Sequence, residues 1–228
     1  MASQDSFNQW NFAWEKNNTK WHIQERHPYL EKYTDVLLNG RKEVQIFFPM
    51  CGKCVDMKWF YDNGHRVVGV EYVEKGVVEF FQEQGLEYVV EPVEQICGNL
   101  YKTADEHLKI FCCDFLKFDK DCAGLMDVVW DRGALVAIEK GDRKKYVKLM
   151  LSILAPGYQY LLSTFCYDDW FFSGCPRTVP PALVHILFGN HCNLQHLETR
   201  DASERMSERM DIRPVLEDFW LITEKNLK

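Results

Sequence analysis

The chain has 228 residues, 46% hydrophobic and 27% charged, which suits one α/β domain with a sizeable core. Its net charge of −7 argues against a nucleic-acid or anionic-membrane partner, because neutralising phosphates takes clustered Lys and Arg. No apolar run reaches the length of a membrane span, the polar N-terminus predicts no secretory signal, and nine scattered cysteines predict reduced thiols in a cytoplasmic protein.

The first forty residues are aromatic and polar rather than strand-like. Trp10 and Trp14 are four apart and share one face of a predicted helix, with Phe7 and Phe12 nearby and Trp21 beyond. Such a helix can simply be pinned to the domain. Aromatic faces also attract a sulfonium and stack on adenine, so residues 1–40 read equally as a lid. Pro28 to Leu38 predicts a second helix, closed by Asn39-Gly40.

The stretch from Val44 to Glu71 is the centre around which the rest of the chain is organised. A short apolar run, Val44 to Phe48, ends at Pro49 as a buried strand should. Met50 to Lys53 predict a tight turn around Gly52, and Val55, Met57, Trp59 and Phe60 supply an amphipathic helix that stops at Asn63-Gly64. A second strand, Arg66 to Val70, delivers Glu71 at its carboxyl end. A glycine in the first turn admits close backbone approach, and an acid about twenty residues later can accept both ribose hydroxyls of a nucleoside. The turn lacks the glycines of a dinucleotide or Walker loop, so a nucleoside without phosphates fits better, S-adenosylmethionine among them. Cys51 and Cys54 have no further ligands at zinc spacing, and the histidines form no metal-binding pattern, so no metal is expected.

Val73 to Gln84 then predicts a helix ended by Gly85, and Leu86 to Val90 a strand, before an irregular polar connection over Glu91 to His107. Leu108 to Cys113 is the next predicted strand, with Asp114 and Phe115 just beyond it; Asp114 can accept from an adenine amine or cap a short helix. Met126 to Trp130 is a fourth strand, ending in Asp131-Arg132-Gly133. Glu71, Asp114 and Asp131-Arg132 thus all fall at carboxyl ends of strands, where an open α/β sheet holds its ligand. A helix over Gly141 to Leu154, a strand over Tyr158 to Phe165, an aromatic loop over Tyr167 to Pro181 long enough to cover a substrate, and a helix over Leu183 to Phe188 come next. Asn193 to Thr199 and Val215 to Thr223 predict two closing strands.

The runs Phe47-Phe-Pro-Met-Cys-Gly-Lys53, Met57-Lys-Trp-Phe60, Val67-Val-Gly-Val-Glu71, Val129-Trp-Asp-Arg-Gly-Ala-Leu-Val-Ala137 and Gly141-Asp-Arg143 closely resemble the thiopurine S-methyltransferases, and the likeness extends to Leu221-Ile-Thr-Glu-Lys225. The resemblance implies a Rossmann-like class I methyltransferase, a single α/β domain whose mostly parallel seven-stranded sheet has helices on both faces. It implies S-adenosylmethionine as cofactor, S-adenosylhomocysteine as product and no metal. The expected activity is S-methylation of small aromatic or heterocyclic thiols such as thiopurines, by a cytoplasmic monomer of xenobiotic metabolism with a small-molecule partner. By motif position the cofactor contacts fall on Trp10, Trp14, Trp21, Met50, Gly52, Glu71, Tyr72, Asp114, Phe115 and Arg132.

Substrate contacts fall on Trp21, Arg132 and Arg205 or Arg209, with Arg132 as the catalytic cation stabilising the anionic thiol. An ordinary salt bridge is the other role open to Arg132. Trp21 stands where the family more often has phenylalanine, and Asp114 and Phe115 replace a smaller polar residue and an aliphatic one. The family's second arginine is displaced by one residue, to Arg205, and the interior of the 168–180 loop is largely replaced. A related methyltransferase for other thiols, thiocyanate, halide or selenium compounds therefore stays open, as does a catalytically silent nucleoside-binding protein. A nicotinamide oxidoreductase would need a richer glycine loop.

Overall fold

Five apolar runs form the parallel centre of a sheet, because each is buried on both faces and has no polar side to turn to water. The computed structural model describes residues 4–207, 210 and 212–225. In chain order these form α1 (Gln4–Glu15), α2 (Pro28–Leu38), β1 (Gln45–Phe48), α3 (Asp56–Asp62), β2 (Arg66–Glu71), α4 (Glu74–Glu83), β3 (Val89–Val93), β4 (Gly98–Lys102) and β5 (Leu108–Cys112). Then come α5 (Lys120–Ala123), β6 (Met126–Arg132), α6 (Arg143–Ser152), β7 (Leu154–Cys166), α7 (Pro181–Phe188), β8 (Cys192–Asp201), α8 (Ser203–Met206) and β9 (Leu216–Glu224).

The strand order is β3-β4-β5-β2-β1-β6-β7-β9-β8. Strands β5, β2, β1, β6 and β7 run parallel, while β9 and β8 close one edge antiparallel. Alternate residues feed opposite faces. Ile46, Phe48, Val67, Val128, Trp130 and Leu161 join Leu30, Leu37, Met57, Phe60, Val77 and Phe80 of α2, α3 and α4 in one core. Phe47, Val68, Val129, Tyr160 and Leu162 join Tyr146, Val147, Met150 and Val184 of α6 and α7 in the other. Helices therefore cover both faces, as a Rossmann-like sheet requires.

Two expectations are corrected here. The sheet has nine strands rather than seven, and Glu91 to His107, the stretch expected to be irregular, holds β4 and the end of β3, whose start overlaps the strand expected over Leu86 to Val90. Strand β3 sits on the sheet edge with Val89 and Val90 exposed, so it never needed the apolar alternation that marks a buried strand. Strand β4 docks through Gly98, where a Cβ would lie 2.3 Å from the Cys112 carbonyl oxygen.

The chain runs from β1 out to β2 and β5 on one side, then returns to β6 on the other, so the strand order reverses between β1 and β6. The carboxyl ends of these strands bound the crevice where doubly wound sheets bind ligands.

Candidate active site

One large cavity opens at that crevice, walled by the turns after β1, β2, β5 and β6, by α1 and the segment after it, and by Arg205 of α8. Nine of the ten expected cofactor positions and all three described substrate positions line it: Trp10, Trp14, Trp21, Met50, Glu71, Tyr72, Asp114, Phe115, Arg132 and Arg205. Arg209 lies outside the described residues.

Glu71 is built into the wall. Its Oε2 accepts from the Gly52 N–H at 2.8 Å and its Oε1 from the Val73 N–H at 2.8 Å, so both adjoining turns fold around the carboxylate. Burial raises this carboxyl above its ordinary pKa, against the pull of those two donors. Each oxygen takes one backbone donor and keeps further acceptor capacity, which suits a pair of ribose hydroxyls.

Gly52 is the exception to the expected set. It sits behind the wall with φ +52°, and a Cβ there would lie 2.4 Å from Nε2 of His22. His22 makes a close approach there that needs a glycine. Nε2 of His22 accepts from the Lys53 N–H at 3.2 Å, and Lys53 in turn pairs with Glu79 and Glu83. Burial, with Lys53 and Arg132 nearby, lowers the His22 pKa to about 4, which keeps the imidazole neutral and able to accept.

The N-terminal segment is fastened over the cavity by aromatic packing. Trp14 is 2% exposed, and its indole occupies the space that Gly76 of α4 leaves, 2.7 Å from where a Cβ would stand. Lys75 donates to the Trp14 carbonyl at 2.8 Å. Trp21 meets Trp10 edge-on at 5.3 Å and Trp14 at 6.0 Å, while Phe7 stacks on Tyr72 at 4.1 Å. Nη1 of Arg132 donates to the Trp21 carbonyl at 2.8 Å, tying the carboxyl end of β6 to this cover. Among the described residues Arg132 thus holds a backbone carbonyl and forms no salt bridge with a neighbouring acid.

The acids at strand ends divide. Asp114 lines the cavity and also caps a short turn, accepting from the Leu116 N–H at 3.0 Å, which is the capping role left open for it. Asp131 does not reach the cavity. It is fully buried, where its Oδ2 accepts from Tyr146 and Tyr160 at 2.6 Å each and its Oδ1 from the Leu135 N–H at 3.1 Å. It shapes the turn that delivers Arg132. Phe115 stacks on Tyr146 at 5.0 Å and gives the wall a flat apolar face.

At the other end, Nη2 of Arg205 donates to Oε2 of buried Glu217 at 2.8 Å, and its guanidinium lies 5.6 Å from the Phe165 ring. The 168–180 loop contributes Cys175 and Pro176 to the cavity, while its tip leaves Trp170 and Phe171 88% and 72% exposed. Cys51 and Cys54 also line the cavity as thiols that burial pushes well above their ordinary pKa. Sequence reasoning missed His22, His27 and Asp56, which wall the cavity too. None has a spacing signal, because each is placed by packing of one element on another.

The cavity's chemistry fits a nucleoside ligand beside an anionic substrate: a buried carboxylate with spare acceptors, flat aromatic walls, and the guanidinium groups of Arg132 and Arg205. A family model described as thiopurine S-methyltransferase matches residues 6–225. Thiopurine S-methyltransferase of Bos taurus is 42% identical over 218 residues, covering 95% of this chain and 89% of the relative. That of Rattus norvegicus is 41% identical over 217 residues, covering 95% and 90%.

Solved structures share the fold at low identity. The Burkholderia thailandensis 1,6-didemethyltoxoflavin-N1-methyltransferase, with bound S-adenosylhomocysteine, superimposes with a TM-score of 0.64 at 14% identity, over 96% of this chain and 87% of that one. The [4+2]-cyclase SpnF reaches 0.63 at 13% identity, over 98% and 96%. A methyltransferase and a cyclase on one fold show that the fold alone does not fix the reaction.

Proposed function

The chain belongs to the thiopurine S-methyltransferase family, and from that membership we propose that it transfers a methyl group from S-adenosylmethionine to the sulfur of a small aromatic or heterocyclic thiol, thiopurines included. The observation that carries the reading is Glu71, a buried carboxylate on the cavity wall, organised by two backbone donors and facing the same cavity as Arg132.

In this reading the carboxylate of Glu71 accepts the ribose hydroxyls, and Phe115 and Asp114 receive the adenine. Trp10, Trp14, Met50 and Tyr72 enclose the rest of the nucleoside, with α1 and the segment that follows it as the lid. Gly52 acts one step back, by supplying the N–H that orients Glu71 and by making room for His22. The cofactor, when bound, supplies an electrophilic methyl on a sulfonium, which a substrate thiolate takes in one in-line displacement.

Trp21 stacks against the substrate ring. Arg132 gives one arm to the Trp21 carbonyl and keeps guanidinium donors for the thiolate, whose charge it stabilises in a water-poor site. Aromatic and heterocyclic thiols ionise readily, so no strong general base is required. Arg205, braced by Glu217, adds positive charge at the substrate end. The net charge of −7 supports a small-molecule substrate over nucleic acid, and we place the enzyme in the cytoplasm as a monomer. Among the described residues no group of three or more metal-ligating side chains converges, and no helix is long and apolar enough to cross a membrane.

Calorimetric titration with S-adenosylhomocysteine and with NAD tests the cofactor assignment. Micromolar binding of the sulfur nucleoside, without binding of NAD, is the expected result. Binding of NAD alone, or of neither, would contradict it.

A further inference from the structure

The inner wall of the cavity carries one polar ring for which the proposed methyl transfer gives no task. His27 is the residue before α2, 2% exposed, and it lines the cavity together with Trp130 and Arg132. Its position is fixed on several sides. The ring packs against Trp130 at 5.2 Å and Phe219 at 6.1 Å, and its backbone N–H donates to Oδ1 of Asp56 at 3.0 Å. The side chain does not cap the helix, and its buried Nδ1 has no hydrogen-bond partner among the described residues. Asp56 accepts from the His27 backbone N–H and from the Cys54 thiol and makes no hydrogen bond to this nitrogen.

Burial, followed by the positive fields of Arg132, Arg200 and Arg205, lowers the His27 pKa to about 2. The ring is therefore a neutral imidazole, with one N–H donor and one lone-pair acceptor. Nδ1 is shut off from the cavity, but Nε2 also has no hydrogen bond among the described residues. An unpaired polar nitrogen in a water-poor site is unfavourable, so a ligand that completes Nε2 gains affinity over one that does not. A carbocyclic thiol has no atom to offer. A heteroaromatic thiol has ring nitrogens beside its sulfur, and a ring N–H or lone pair can complete the imidazole. The surrounding guanidinium groups favour a neutral or anionic partner over a cationic one.

We propose that His27 is a substrate-binding residue that sets specificity, its imidazole hydrogen-bonding a ring nitrogen of a heteroaromatic thiol; this rests on the methyltransferase reading above. The test compares methylation of 6-mercaptopurine with that of thiophenol in the wild type, His27→Phe and His27→Asn, with S-adenosylhomocysteine affinity measured beside it. Phe keeps an aromatic ring without nitrogen, and Asn keeps a polar amide on a shorter side chain. The expected result is a KM for 6-mercaptopurine raised about tenfold in His27→Phe, partly restored in His27→Asn. The KM for thiophenol and the S-adenosylhomocysteine affinity stay within about twofold of wild type.

Equal changes for both thiols, or none for either, would make His27 a packing residue and overturn the inference. So would loss of S-adenosylhomocysteine binding in both variants. A wild-type protein that binds S-adenosylhomocysteine but methylates neither thiol would overturn the methyltransferase reading, and the inference with it.

Discussion

Glu71 joins structure and function within one side chain. Its carboxylate satisfies the N–H groups of Gly52 and Val73, so replacing it disturbs both adjoining turns as well as any ligand. In Glu71→Gln the amide nitrogen must face one of those donors, leaving a buried N–H unpaired. Denaturant unfolding should show a loss of about 1–3 kcal/mol, and calorimetry a weakening of S-adenosylhomocysteine binding by about tenfold or more. Full binding with lost stability would mean that Glu71 serves the turns alone. Glu71, Asp114 and Arg132 could be read from sequence because each ends a recognisable strand, and strand ends converge in this class of sheet. His27 could not. A lone histidine before a proline has no periodicity, and only the packing of α2 against β6 and β9 brings it to the cavity. Gly52 shows the reverse case, since its glycine was legible while the group that packs against it, His22, lay thirty residues earlier in the chain.

The elements differ in how plainly the sequence announced them. Helix α2 begins at Pro28 and ends at Asn39 in the left-handed conformation, as its start and stop signals require. Of the β3–β4 hairpin only Val89 and Val90 fell inside an expected strand, because an exposed edge strand containing Glu91 and Pro92 carries none of the buried alternation that identifies its neighbours. The α1 segment was visible as a tryptophan cluster, but its docking partner, Gly76 on α4, was not. That contact can be tested directly. A Cβ at Gly76 would stand 2.7 Å from the Trp14 ring, so Gly76→Ala must move the indole even though alanine favours the helix by about 1 kcal/mol. Tryptophan emission should shift to longer wavelength, and S-adenosylhomocysteine affinity should fall several-fold. An unchanged spectrum and affinity would show that α1 does not cover the bound cofactor.

Across the whole molecule, buried titratable groups tie stability to pH. Burial holds His22 at about 4 and His27 at about 2, and lowers His65 as well. As pH falls below the unfolded value of about 6.5, the unfolded chain takes up protons that the fold refuses. Stability is therefore present above that pH and lost as the pH drops toward 4, at about 1.4 kcal/mol per pH unit for each imidazole held neutral. Asp56, Glu71 and Asp131, whose carboxyls burial raises, act in the opposite sense and soften the loss toward the acid end. Unfolding measured from pH 6.5 downward should show this slope, and His27→Phe should remove about one proton's share of it. A slope unchanged in the variant would mean that the folded imidazole is not held neutral.

The topology was legible because parallel strands buried on both faces permit few arrangements, whereas the choice of acceptor is decided by groups from opposite ends of the chain. That choice is the central claim. The measurement that tests it most directly is mass-spectrometric identification of the product formed from 6-mercaptopurine and methyl-labelled S-adenosylmethionine. The predicted product carries one labelled methyl on sulfur, with S-adenosylhomocysteine released in equal amount. Methylation on a ring nitrogen, or cofactor binding without transfer to this or any other aromatic thiol, would contradict it.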